Sequence, residues 1–144
     1  MQMVFTPHED TPPADAAVVD AGLTAFNAAA APLHEVQALS CFARTPTGEV
    51  LGGAVGRTWG LCCELQQLWV REDLRRQGVG ARLLREFEQQ AYLRGCERVY
   101  LETFSFQVPQ WYVARGYSAG LELRGFGAGI VKYTMVRELA APGR

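Results

Sequence analysis

The sequence predicts an α+β, or mixed α/β, domain with the element order β-α-β-β-β-α-β-α-β. Its 144 residues suit one compact domain, which we expect to span residues 1–144. Two patterns predict the fold class. The middle of the chain holds strand-like runs separated by turn residues, which is typical of an antiparallel meander. The second half alternates between helical and strand-like periodicity.

The first half contributes a short strand, a helix and three further strands. We expect the opening strand at residues 4–6, before Pro12-Pro13. Its helix is predicted over residues 16–29, because alanine favours helix and because Val19, Leu23 and Phe26 recur at helical spacing. Three strands are then predicted at residues 36–44, 49–58 and 61–70, with Thr45-Pro46-Thr47-Gly48 as the turn between the first two.

The second half opens with the strongest helical pattern, at residues 77–94. Leu83, Leu84, Phe87 and Ala91 form its predicted buried stripe, and Gly95 ends it. Its predicted water-facing residues are Arg82, Arg85, Glu86, Glu88 and Gln89. The remaining predictions are a strand at 98–104, a short helix at 109–116, a glycine-rich segment at 121–131 that is either flexible or tightly turned, and a strand at 130–136.

Composition narrows the function classes. The formal net charge of −1, with 49% hydrophobic and 20% charged residues, is that of an ordinary globular protein and favours neither nucleic acid nor a membrane as partner. The N-terminus lacks the features of a signal peptide, so we expect a cytoplasmic protein. The four cysteines are expected to be reduced and structural, and the spacing of cysteine and histidine predicts no metal site.

The most informative stretch joins the strand that ends near Val70 to the long helix. The first amides of a helix have no internal partner and lie at the positive end of its dipole, so they form an anion site. Gly78 and Gly80 let a diphosphate approach the backbone, and Arg75 and Arg76 add positive charge. The alternative is a tight turn with a solvated basic surface.

Two other phosphate-binding motifs do not match this sequence. A Walker loop requires Lys-Ser or Lys-Thr after its last glycine, where this chain has Ala81-Arg82. A Rossmann fingerprint counted from Gly78 requires a small residue where this chain has Leu83. Both absences argue against an ordinary nucleotide-binding α/β domain.

The remaining pattern, Arg75-x-x-Gly78-x-Gly80, resembles the R/Q-x-x-G-x-G/A signature of the GNAT acetyltransferase superfamily. The similarity extends over about residues 65–117, through Leu68-Trp69-Val70, Gly95-Cys96 and Tyr112-x-x-x-Gly116-Tyr117. It implies a mostly antiparallel sheet flanked by helices, with a β-α-β core that binds coenzyme A. The cofactor-binding residues it implies are Leu68, Trp69, Val70, Arg75, Arg76, Gln77, Gly78, Val79, Gly80, Ala81 and Gln107.

The same resemblance implies catalytic roles. Tyr112 is expected to be the general acid, since a phenol with a pKa of about 10 stays protonated and can donate to a departing thiolate. Glu64, on the strand that leads to Val70 and on a predicted face with Gln66 and Leu68, is expected to take the amine proton, directly or through water. Glu102 is the next candidate for the base, and His34 is a candidate acceptor contact. The family often has asparagine where this chain has Ser105-Phe106-Gln107, which leaves Gln107 or Ser105 as the cofactor contact.

The resemblance therefore implies an acetyl-CoA-dependent N-acetyltransferase in which a primary amine attacks the acetyl group directly. A non-catalytic acyl-CoA-binding or regulatory domain with the same fold is the alternative. The expected partner is a small-molecule or peptide amine, and the sequence leaves both a monomer and a homodimer open.

Overall fold

The computed structural model describes residues 1–139 and divides the chain into two compact units, Met1–His34 and the part that starts at Glu35. The first unit contains one helix, α1 (Pro13–Ala30). None of the residues of α1 is buried. A short 3-10 turn, Leu33–Glu35, follows α1. The predicted strand at residues 4–6 is wrong: none of the described strands pairs with it, and Val4 and Phe5 are exposed.

The second unit is built on one six-stranded sheet with the order β1-β2-β3-β4-β6-β5. Within residues 1–139, only β3 and β4 run parallel, and every other neighbouring pair of strands is antiparallel. This mostly antiparallel sheet with helices confirms the predicted fold class. Its strands are β1 (Gln37–Arg44), β2 (Val50–Trp59), β3 (Cys62–Val70), β4 (Arg98–Phe104), β5 (Ser118–Arg124) and β6 (Val131–Glu138).

The edge strand β5 was not predicted. Its sequence lacks β-branched and aromatic side chains, and all seven of its residues are exposed, so it carries little strand signal of its own. Pairing with β6 makes it a strand. Of the two alternatives for the glycine-rich segment, the structure has the tight turn: Gly125, Gly127 and Gly129 have positive φ, and the amide of Ile130 donates to the carbonyl of Gly127 at 2.9 Å.

One long helix, α2 (Val79–Leu93), packs against β1, β2 and β3. Its predicted buried stripe is confirmed, with Leu83, Leu84, Phe87 and Ala91 in the core. The helix begins later than predicted because Gly78, at φ 81°, takes a left-handed conformation that cannot continue a helix. Glu88, predicted to face water, is instead only 7% exposed.

The short helix α3 (Pro109–Val113) ends before the predicted boundary at Gly116.

The cysteines are free thiols, as expected. Cys63 is fully buried against the core, where burial raises the pKa of its thiol to about 12. A thiol with that pKa is almost entirely protonated near neutral pH, which makes it a poor nucleophile.

Gly56 on β2 holds the sheet close to α2. A Cβ at this position would lie 1.9 Å from the carbonyl oxygen of Glu64 and 2.9 Å from Phe87 Cζ. We expect Gly56→Ala to destabilise the fold by about 3 kcal/mol, because backbone must move to admit the methyl group. Urea denaturation would measure this. Gly22→Ala, in a helix with nothing within 4 Å of the new atom, is the matched control and should leave the unfolding midpoint unchanged or slightly higher.

Candidate active site

The parallel strands β3 and β4 separate part-way along the sheet. They pair only at Cys62–Arg98, Cys63–Val99 and Glu64–Tyr100. The register between β2 and β3 also shifts just beyond this point, where Val55 pairs with Gln67 and Gly56 with Leu65. The β3 edge that faces β4 therefore presents backbone groups without a strand partner from Leu65 onward, and such groups can bind an extended ligand.

The turn between β3 and α2 has the features of an anion site. Arg76 and Gly78 both have positive φ, which turns the chain sharply into the helix. No amide from Arg76 to Ala81 donates to a described backbone carbonyl, whereas the amide of Arg82 closes the first helical bond to Gly78. Arg75 Nε donates to the carbonyl of Val70 at 2.9 Å, so this arginine ties the turn to the end of β3.

A cavity of about 690 Å³ opens on this turn. We call it the turn cavity. Among the described residues that line it, three are arginines and none carries a carboxylate, which favours an anionic ligand. Its lining comprises Leu68, Trp69, Val70, Arg75, Arg76, Gly78, Val79, Gly80, Ala81, Gln107, Val108, Trp111, Tyr112 and Arg115.

Ten of the eleven residues predicted to bind the cofactor line the turn cavity. The exception is Gln77, whose side-chain amide donates to the carbonyl of Asp73 at 3.3 Å. Sequence reasoning missed Val108, Trp111 and Arg115. Arg115 donates to the carbonyl of Trp111 at 2.9 Å, and its guanidinium lies 3.8 Å from the Trp111 ring centroid, which holds the charge at the wall of the cavity. The four-residue spacing of this pair is the signal that could have identified it.

A second cavity, of about 560 Å³, lies against β1–β4, and we call it the sheet cavity. It shares Leu68, Trp69, Gln107 and Tyr112 with the turn cavity. The other lining residues are Phe42, Val50, Gly52, Gly53, Val55, Leu65, Gln66, Gln67, Leu101, Glu102 and Thr103. A ligand in one cavity can therefore meet a ligand in the other beside these four shared residues.

Tyr112 lies at this meeting point. Its ring packs edge-on against Trp111 and Tyr117, with centroid distances of 5.1 and 5.7 Å. Its hydroxyl makes no hydrogen bond to another residue within the described part of the chain, so it is free to contact a ligand. Burial raises the pKa of the phenol above its ordinary value, and the hydroxyl stays protonated at neutral pH.

A buried charge network lies behind Tyr112. The hydroxyl of Tyr117 donates to Glu88 Oε2 at 2.8 Å, and Arg137 Nη1 donates to Glu88 Oε1 at 2.7 Å. These contacts explain why Glu88 is buried despite its charge, since both carboxylate oxygens are satisfied. The network joins α2 and β6 through Tyr117, which directly precedes β5, and the amide of Tyr117 donates to the carbonyl of Tyr112 at 3.1 Å.

We expect Glu88→Gln to destabilise the protein by about 2 kcal/mol, because Arg137 loses its anionic partner and Tyr117 loses a charged acceptor. Urea denaturation of the single and double variants with Tyr117→Phe would measure the coupling. Glu86→Gln, at an exposed position of the same helix, is the control and should change stability by less than about 0.5 kcal/mol. Equal effects of the two substitutions would contradict a structural role for the network.

The predicted base, Glu64, lies in neither cavity. Arg57 Nε donates to its Oε1 at 2.9 Å. The prediction that Glu64 shares a face with Leu68 is wrong, because the register shift in β3 intervenes: Glu64 pairs with Arg57, whereas Leu68 pairs with Ala54 of the core.

The other candidates are separated by the fold. Glu102 lines the sheet cavity and forms an ion pair with Lys132 at 2.5 Å. Ser105 Oγ accepts a hydrogen bond from the amide of Val131 at 3.0 Å. Gln107 Oε1 accepts a hydrogen bond from the amide of Phe104 at 2.9 Å. Because Gln107 also lines both cavities, it is better placed than Ser105 to contact the cofactor. His34 is exposed in the turn after α1.

Within residues 1–139, none of the helices combines the length and apolar character that a membrane crossing requires. The same residues contain no cluster of three or more His, Cys, Asp or Glu side chains placed to hold a metal ion.

Comparison with known proteins agrees with this geometry. Blasticidin-S acetyltransferase of Streptomyces morookaense is 32% identical over 111 residues, which cover 76% of this chain and 79% of the relative. The crystal structure of a Bacillus cereus acetyltransferase superposes with a TM-score of 0.77 at 23% identity, covering 93% of this chain and 98% of that one. An aminoglycoside 6′-N-acetyltransferase complexed with coenzyme A has a similar fold, with a TM-score of 0.64 at 19% identity over 73% of this chain and 75% of that one. Residues 8–117 match the profile of the Acetyltransferase (GNAT) family. The chain therefore belongs to the GNAT family of acetyltransferases.

Proposed function

We propose that the chain is an acetyl-CoA-dependent N-acetyltransferase that holds its acyl donor in the turn cavity. The observation that carries the proposal is the meeting of the two cavities at Tyr112, beside the point where β3 and β4 separate. The residues fit coenzyme A: unpartnered amides precede α2, Gly80 adds no side chain, and the charged lining is entirely arginine. The related fold that contains coenzyme A supports the same ligand.

Bound acetyl-coenzyme A supplies a thioester, the electrophile that an amine attacks. The free backbone edge of Leu68–Val70 would hold the extended part of the donor, and an amide there would hydrogen-bond the acyl oxygen. Tyr112 would donate its phenolic proton to the sulfur as the carbon–sulfur bond breaks and the carbon–nitrogen bond forms. Its raised pKa supports this role, because the donor must be protonated at the start.

The amine proton requires an acceptor, since an alkylamine has a pKa of about 10.4. Glu64 remains a prediction, but its carboxylate is held by Arg57 outside both cavities. Glu102 also has an ion-pair partner, Lys132, but it lines the sheet cavity and is about half exposed, so a ligand and water can reach it. We therefore propose that Glu102, directly or through a water molecule, takes this proton.

The acceptor is proposed to be a small-molecule or peptide amine that enters through the sheet cavity. The cavity's volume of about 560 Å³ is in the range of small-molecule sites. The name of the 32% identical relative, a blasticidin-S acetyltransferase, also supports a small-molecule acceptor.

Calorimetric titration with coenzyme A and acetyl-CoA tests the proposal, with NAD and ATP as controls. We expect saturable binding of both coenzyme A species and none of the controls, followed by thiol release when amines are added. Coenzyme A binding without thiol release for any amine would favour the non-catalytic acyl-CoA-binding alternative. Absence of coenzyme A binding would overturn the proposal.

A further inference from the structure

The wall of the sheet cavity carries an aromatic row across three neighbouring strands. Phe42 of β1 pairs with Gly53 of β2, and Gly53 pairs with Trp69 of β3, so the three residues share one face of the sheet. That face is turned away from α2: a Cβ on the preceding residue, Gly52, would lie 3.2 Å from Leu83 Cδ1 of α2. We call Phe42, Gly53 and Trp69 the aromatic shelf.

The missing side chain at Gly53 makes the shelf continuous. A Cβ at this position would lie 2.7 Å from Phe42 Cδ1, so the Phe42 ring covers the glycine and fills the space beside it. Phe42 is 42% exposed and Trp69 is 52% exposed, although both are large apolar side chains. Two half-exposed rings on one cavity wall form an apolar surface of the kind that binds a ligand.

The acceptor amine is itself a cation near neutral pH, since an alkylamine has a pKa of about 10.4. Among the described residues that line the sheet cavity, Glu102 is the only one with a charged side chain, and Lys132, outside this lining, pairs with it. The Phe42 ring already accommodates a planar cation from the chain itself, since the guanidinium carbon of Arg44 lies 5.1 Å from its centroid. Planar conjugated groups stack on aromatic rings, whereas a puckered saturated ring contacts them through fewer atoms.

We propose that the acceptor of this enzyme is a cationic amine that bears a planar conjugated ring, with the ring stacked on Phe42 and Trp69 and the amine directed toward Tyr112 and Glu102. The inference rests on the proposed function and specifies its substrate class. The shelf and the residues shared by both cavities are continuous, because Trp69 belongs to both sets. Stacking at the shelf therefore places the amine of a compact acceptor beside the donor cavity.

Two amines of equal size test the proposal. Benzylamine and cyclohexylmethylamine carry the same cationic group on a planar and a puckered ring. With coenzyme A bound, we expect calorimetry to give benzylamine a Kd about tenfold lower than that of cyclohexylmethylamine. The same preference should appear in kcat/KM for thiol release from acetyl-CoA.

Phe42→Leu and Trp69→Leu should each reduce the preference to about twofold or less, because leucine keeps apolar area but removes the stacking surface. Trp59→Leu is the matched control: Trp59 is 44% exposed on β2 and outside both cavities, so its loss should leave the preference intact. Three results would each contradict stacking of the acceptor on the shelf. They are equal affinity for the two amines, no binding of benzylamine, and a preference that survives both shelf substitutions. Acetyl transfer to other amines would then still stand, whereas failure to bind coenzyme A would remove the proposed function itself.

Discussion

Replacing Gly80 with glutamate should reduce coenzyme A affinity at least about 100-fold, because it places a carboxylate where the helix amides would hold phosphate. Gly80 is the second residue of α2 and lines the turn cavity. A Cβ there would lie 3.6 Å from both Val70 Cγ2 and Trp111 Cζ2, which is ordinary contact. The loss would therefore come from the longer side chain, which must extend into the cavity and attract its arginines, and not from strain in the fold.

Two further variants separate the effect of filling the turn cavity from the effect of the added negative charge. Gly80→Ala adds only the tolerated methyl group and should change the Kd for coenzyme A less than about fivefold. Gly80→Gln fills the same space as glutamate without its charge, so the difference between the two measures the electrostatic part. Calorimetric titration gives the affinities, and thermal melting shows whether each variant is folded. If folded Gly80→Glu bound coenzyme A as tightly as the unsubstituted protein, the turn cavity would not be the donor site.

Local sequence information was sufficient for this turn. Gly78 and Gly80 at the start of a long amphipathic helix, with Arg75 and Arg76 beside them, predict a phosphate site through residues that are neighbours in the chain. Whereas the opposite part of the turn cavity is formed by distant residues such as Gln107, Trp111 and Arg115, the turn follows from its neighbouring residues alone. The same holds for most strand and helix assignments, where the hydrophobic period carries the signal.

Features that depend on distant residues could not be predicted in this way. Glu88 is a charged residue that the helical pattern places toward water, and its burial depends on Tyr117 and Arg137, 29 and 49 residues later in the chain. The register shift near Gln66 places Glu64 on the opposite face from Leu68, and a shift in pairing leaves no mark in the sequence of one strand. The aromatic shelf likewise exists only because β1, β2 and β3 align in a particular register.

Tyr112→Phe should lower turnover by about 100-fold or more while leaving acetyl-CoA affinity within about twofold. The phenol is proposed to protonate the departing sulfur, an interaction that develops as the carbon–sulfur bond breaks and contributes little to binding the donor. Phenylalanine keeps the ring that packs against Trp111 and Tyr117, so the fold should remain. Measuring kcat by thiol release and Kd by calorimetry separates the two effects.

The pH dependence of turnover gives an independent test of the same role. A general acid works only in its protonated form, and burial raises the pKa of Tyr112 above its ordinary value of about 10. Its contribution should therefore be complete at neutral pH and be lost as the pH rises through the raised pKa. Tyr112→Phe should remove this alkaline decline together with the rate. Tyr133→Phe, a partly buried tyrosine outside both cavities, should retain both rate and profile. Because a packing defect would lower the rate without removing the decline, persistence of the alkaline decline in Tyr112→Phe would assign the proton to another group.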